Sequence, residues 1–167
     1  FALALYAKPG VEHACLILQD EAGVDVCELL FHCWLYEHGL AAEPGPLKAI
    51  REERCRWQQQ VTAPLRQLRR GLKPQAAQSE SISTLRKTLQ TAEIQAEREN
   101  LQCWQQWALL SSEQEVSVIK GSINQHNIAQ WLQDTLFLLP LDNFSSQASR
   151  VREGIQSAFL ALASQLD

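Results

Sequence analysis

Residues 25–35 read Asp25-Val26-Cys27-Glu28-Leu29-Leu30-Phe31-His32-Cys33-Trp34-Leu35. Asp25 followed three residues later by Glu28 has the form of a capping box, in which the first side chain accepts from open backbone amides and the second reaches back. Helical spacing then puts Val26, Leu29, Leu30, Cys33 and Trp34 on one side, while Phe31 and Leu35 fall on another. A helix that is apolar on most sides has no face to give to water. The stretch therefore predicts a central, buried helix over Asp25–His38, closed by Gly39, which the other elements must cover.

Working outward, Phe1–Ala7 reads as a short apolar helix broken by Lys8-Pro9-Gly10. Val11, Cys15 and Leu18 then recur at helical spacing in a segment that ends near Gly23. Downstream, Glu43–Pro46 reads as a Pro-Gly-Pro connection. Beyond it Leu47, Ile50, Arg54, Trp57 and Val61 form a stripe alternating in steps of three and four, as in packed antiparallel helices. Pro64 is expected to kink or restart this helix, and the polar stretch from Gly71 to Ser81 to turn the chain. A long helix returns over Ile82–Leu110, with Ile82, Leu85, Leu89, Ala92 and Ala96 assigned to the stripe and Leu101, Trp104, Trp107 and Ala108 to the core. Ser111–Gly121 reads as a loop because no partner strand is evident. Two last helices are expected over Ser122–Leu138 and Asn143–Leu166, the latter striped by Phe144, Ala148, Val151, Ile155, Ala158 and Leu162, with Pro140 between them.

Leu, Ala, Gln and Glu supply 77 of the 167 residues, all good helix formers, which excludes an all-β fold. The length fits one domain. The expectation is an all-α, single-domain bundle over residues 1–167 with six to seven helices, containing a basic helical hairpin over 47–110.

The net charge of −4 conceals a division. Residues 47–100 hold 11 of the 15 basic and 6 of the 19 acidic residues, a balance of +5 against −9 elsewhere. Arg66, Arg69, Arg70, Lys73, Arg86 and Lys87 lie in 22 residues with Glu80 as the single acid. Such a cluster is the candidate partner-binding surface, suited to an acidic protein surface or to the phosphates of structured RNA. No Phe, Tyr or Trp lies between Arg66 and Lys87, so stacking of bases is not offered. The competing reading is internal: Glu93 and Glu97, at i and i+4, share a helix face and are placed to pair with Arg66, Arg69 or Arg70.

Five cysteines, at 15, 27, 33, 55 and 103, include no C-x-x-C pair and sit largely among apolar residues, as buried thiols of a reducing cytoplasm would. Cys27, His32 and Cys33 do not match zinc-ligand spacing, and Asp20 with Asp25 supplies too few oxygens for calcium. No metal or cofactor is expected. No apolar run reaches the roughly 18 residues of a membrane span. The chain begins at Phe1 and contains no methionine, so its native start is expected to lie upstream.

There is no G-x-S-x-G elbow, no P-loop, no G-x-G-x-x-G and no Glu-x-x-His, and His126 reads as an exposed helix residue. Catalytic residues are therefore not assigned. The expected role is a cytoplasmic binding or adaptor protein that meets an anionic partner through the hairpin. The alternative is an enzyme or small-ligand binder with a pocket lined by Tyr6, Trp34, Trp104 and Trp107.

The segment from Leu3 to Leu35, LALYAKPGVEHACLILQDEAGVDVCELLFHCWL, resembles a proteobacterial family of domains of unknown function with the pattern LxLYAxPGVxxxCLxLQDxxGxDVNxLLF. The likeness continues more weakly through Pro64–Arg70 and Ala92–Arg98, over about the first hundred residues. Cys27 stands where the pattern has Asn. The resemblance implies the domain class and carries no activity, substrate or cofactor.

Overall fold

A computed structural model describes residues 1–111, 116–118, 128–136 and 148–166, with positions 116–118, 148 and 149 described by their backbone alone. In chain order the elements are α1 (Ala2–Tyr6), α2 (Val11–Ala22), α3 (Val26–Glu37), β1 (Leu40–Ala42), α4 (Pro44–Trp57), a π turn (Gln58–Thr62), α5 (Ala63–Gly71), α6 (Lys73–Ala76), α7 (Glu80–Leu110), β2 (Val116–Val118), α8 (Ile128–Leu136) and α9 (Ala148–Ala163). Among the described residues the fold is all-α apart from one short strand pair. More helical segments are present than the six to seven expected, because breaks at Leu72 and at the π turn divide the hairpin. They form two compact units: residues 1–43 with 112–167, and residues 44–111.

The first unit is organised around α3. Asp25 caps it as expected, accepting from the Cys27 amide at 2.8 Å. Cys27, Leu29, Leu30, Phe31, Cys33 and Leu35 are all buried, as are Glu28 and His32. The preceding helix α2 ends at Gly23, whose φ of +67° is the left-handed conformation that only glycine adopts without strain, and its amide donates to the Leu18 carbonyl. α2 packs on α9 through Val11, Cys15 and Leu18 on one side and Ile155, Ala158, Phe159 and Leu162 on the other, all of them buried. Val151, expected on the α9 stripe, is 37% exposed, and the predicted start of that helix, including Phe144, lies outside the described residues. α8 rests against both α3 and α9 through Ile128 and Leu132.

The reading of Ser111–Gly121 as a loop needs correction. Val116–Val118 pairs antiparallel with β1, with Leu40 opposite Val118 and Ala42 opposite Val116. The partner strand, Leu40-Ala41-Ala42, has no β-branched residue and is too short for an alternating pattern, so the sequence carried no signal for it.

The second unit is a helical hairpin. Its first arm starts at Pro44, within the predicted connection: Pro44 and Pro46 occupy the first turn, where no backbone amide needs a partner. Leu47, Arg54 and Thr62 are buried and Ile50, Trp57 and Val61 half-buried, so the predicted stripe on this arm is the face turned inward. The α-helical pattern of the arm is interrupted by a π turn ending at Thr62, two residues before Pro64, which cannot donate the i→i−4 bond a regular helix needs there. The chain turns through α6, and Ser79 caps the returning helix α7 by accepting from the Ile82 amide.

Candidate functional site

The site is built on α5 and α7. Ile82, Arg86, Leu89, Glu93, Ala96, Asn100 and Trp104, each buried or half-buried, recur along α7 in steps of three and four. This corrects the predicted stripe at one position: Leu85 is 50% exposed, while Ile82, Leu89, Ala92 and Ala96 are buried or half-buried as expected, and Glu93 and Asn100, which that stripe did not include, are buried. The physical reason is an ion-paired seam. A register that favours Leu85 would rotate Glu93 away from the arginines of α5.

Arg66 reaches across from α5, its Nε donating to Glu93 Oε1 at 2.9 Å and its Nη2 to Glu97 Oε1 at 2.7 Å. Arg69 donates from Nε to Glu93 Oε2 and from Nη2 to Glu93 Oε1 at 3.2 Å. Both Glu93 oxygens are therefore held by guanidinium groups. The Glu93 side chain is 6% exposed, against 15% for Arg66 and 20% for Arg69. Burial alone would raise the Glu93 carboxyl, but the hydrogen bonds from Arg69 and Arg66 outweigh it and hold the group below the usual glutamate range. Desolvation works against the charge on Arg66 too, and its bonds to Glu93 and Glu97 more than offset it. Higher on the same seam the Trp57 indole donates to the Ala96 carbonyl at 3.1 Å.

The six basic residues singled out in the sequence thus divide. Arg66 and Arg69 are engaged by Glu93 and Glu97, the internal pairing anticipated from the i, i+4 carboxylates. Arg86 is half-buried with its Nε turned inward. Arg70, Lys73 and Lys87 are exposed near the turn of the hairpin, with Glu80 the single acidic residue between Arg66 and Lys87. Sequence reasoning missed Asn100 and Thr62, both fully buried in this unit. The signal available was the seven-residue spacing of Arg86, Glu93 and Asn100, which marks one edge of a packed helix even when its members are polar.

The first unit holds a second polar group. His32 is fully buried, with Nε2 3.6 Å from Glu28 Oε1 and its ring 6.3 Å from Trp131 in an edge-on arrangement. Tyr36 lies against the same indole at 5.7 Å. This group is enclosed, so it serves packing within α3 and α8. Cys15 and Cys33 are buried, and desolvation pushes the Cys15 thiol up to about 12 and Cys33 further. Thiols so raised are not nucleophiles at neutral pH. Among the described residues no three His, Cys, Asp or Glu side chains are grouped to hold a metal ion, and no helix is long and apolar enough to cross a membrane. Of the aromatic residues considered for a pocket, Tyr6 and Trp34 belong to the first unit and Trp104 and Trp107 to the second. Trp34 is packed against Phe31 and His38, with ring centroids 6.4 and 4.7 Å away. His126 lies outside the described residues.

A family model described as "Protein of unknown function (DUF2390)" matches residues 1–103, from α1 through most of α7. No curated protein and no solved structure matches the chain.

Proposed function

We propose that this chain, which belongs to the DUF2390 family, is a cytoplasmic binding or adaptor protein whose hairpin docks on an acidic surface of another protein. The observation that carries this reading is the division of the basic cluster: Arg66 and Arg69 hold the hairpin in register, leaving Arg70, Lys73 and Lys87 exposed at one end. Magnitude decides between the two anionic partners. Proteins that hold nucleic acid mainly through its backbone use on the order of 6 to 10 phosphate contacts, and each adds to affinity and to its dependence on salt. The three exposed cations of this cluster, with no Phe, Tyr or Trp between Arg66 and Lys87, fall short of that number. They suit the rim of a protein interface, where complementary charge steers approach and fixes orientation. Five cysteines without a disulfide, three of them buried, support a reducing compartment.

The test is capture from lysate by the immobilised full chain, with and without nuclease, beside the triple variant Arg70→Gln/Lys73→Gln/Lys87→Gln. A partner retained after nuclease by the parent and lost by the folded variant supports the proposal. Capture that disappears with nuclease assigns the surface to RNA. Capture equal for parent and variant removes the cations from the interface.

A further inference from the structure

The charge of the chain divides where its fold divides. Residues 44–111, the hairpin unit, hold 11 basic and 6 acidic residues, whereas residues 1–43 with 112–167 hold 4 and 13. Each copy therefore carries one unit at +5 and one at −9. Between Lys8 and Lys48 stand seven acidic residues and no lysine or arginine. Asp25 caps α3 and Glu28 is buried, but Glu12, Asp20, Glu21 and Glu37 are exposed. Lys8, the one lysine or arginine in residues 1–43, donates to the Gln165 carbonyl at 2.6 Å. Helix α2 concentrates this charge. It turns Val11, Ala14, Cys15 and Leu18 inward, and at about 100° per residue the opposite line carries His13, Leu16 and Asp20 with Glu12 beside them. Its last turn holds Asp20 and Glu21 and no basic residue, although the helix dipole already makes that end negative. A cation set against it would offset both. α5 is the reverse case, with Arg69 and Arg70 in its last turn.

We infer that the acidic surface on which the hairpin docks is the outward face of α2 in a second copy of this chain, so that copies join head to tail. This rests on the hairpin reading above and names its partner. Charge complementarity selects the occupant. At physiological ionic strength charges are screened beyond about 8 Å, so two copies meet as local surfaces and the net −4 of the whole chain does not keep them apart. Hairpin against hairpin, or α2 against α2, sets like charges together, whereas Lys73 and Lys87 against Glu12, Asp20 and Glu21 sets opposite ones. Every copy supplies both halves of that match in equal number. The two surfaces differ, so the contact is heterologous: each added copy leaves one hairpin and one α2 face open, and the assembly grows or closes into a ring.

Sedimentation velocity of the full chain at about 0.05 M and about 0.5 M salt tests this. The parent is expected to grow beyond 18.9 kDa with rising concentration in low salt and to return to that mass in high salt. Arg70→Gln/Lys73→Gln/Lys87→Gln and Glu12→Gln/Asp20→Asn/Glu21→Gln are each expected to weaken association by about tenfold or more, with unchanged helical circular dichroism. Mixed, the two variants keep one intact surface of each kind, so they are expected to form a one-to-one dimer that grows no further, a rescue that unfolded variants could not give. A parent that stays monomeric in low salt, an α2 variant that associates as the parent does, or a mixture without the dimer overturns the inference. The hairpin reading is judged separately by the lysate capture, where a nuclease-resistant partner lost with the hairpin cations upholds it even if the chain does not self-associate.

Discussion

Replacing Glu93 by Gln keeps the shape of the side chain and removes its charge, and the structure sets what this should cost. Glu93 accepts three hydrogen bonds from two guanidinium groups while 6% exposed. The amide retains one oxygen and presents an NH₂ group to an arginine where an acceptor stood. A hydrogen bond to a charged group contributes about 1.5–3 kcal/mol, and leaving a buried charge without its partner costs about 3–5 kcal/mol. Arg66 and Arg69 are 15% and 20% exposed, so water recovers part of that penalty, and Arg66 retains Glu97. About 3 kcal/mol is a fair magnitude, corresponding to a fall in Tm of about 6–12 °C for a chain of this length. Thermal unfolding followed by circular dichroism reads it, with Lys73→Gln/Lys87→Gln as the control expected to move Tm by no more than 1–2 °C. A Glu93→Gln variant whose Tm matches the parent would refute the argument that the carboxylate holds the hairpin together.

Two other outcomes follow from the same chemistry. Because Glu93 is held below the usual glutamate range in the folded chain, its stabilising contribution is complete above the unfolded value and lost as pH falls through the folded one. The stability gap between parent and Glu93→Gln, measured by urea unfolding, should therefore be widest near neutral pH and close in acid; a gap that widens in acid contradicts the assignment. A thiol reagent at pH 8 should label Cys55, which is exposed, and leave Cys15 and Cys33 untouched, whereas all five cysteines react after denaturation; native labelling of Cys33 would show α3 to be open.

Local chemistry made much of this fold legible. Asp25 before an apolar run, Gly23 after Leu18 and Gly39 after α3 each have one inexpensive conformation, and the structure adopts all of them. The pairing of Arg66 and Arg69 with Glu93 and Glu97 was legible too, because carboxylates at i and i+4 point the same way whatever the rest of the chain does. What failed depended on partners distant in sequence. Leu85 satisfies the apolar spacing of α7, and two registers a fraction of a turn apart, one burying Leu85 and one burying Glu93, can be ranked only once the opposing arm is known. The π turn before Pro64 has the same character, since the missing amide predicts a disturbance but not which way the helix accommodates it. Leu40-Ala41-Ala42 becomes a strand through Val116–Val118, residues more than seventy positions away.

The polar seam also explains how one segment carries charge for two purposes. A hairpin held by leucines alone packs almost equally well in neighbouring registers, whereas a carboxylate gripped by two arginines from one turn of α5 accepts only one. Buried ion pairs contribute little net stability compared with apolar residues of the same volume, because desolvation consumes most of the attraction. What the triad of Arg66, Arg69 and Glu93 supplies is position. One further residue of rotation carries Arg70 off the seam and into solvent. The register that buries Glu93 between Arg66 and Arg69 is therefore also the one in which Arg70, Lys87, Leu68 and Leu85 stand exposed. A Glu97 substitution, which frees one bond of Arg66 and none of Arg69, leaves that register in place, whereas loss of Glu93 releases Arg69, leaves Arg66 with Glu97 alone, and removes the contact that fixes the register.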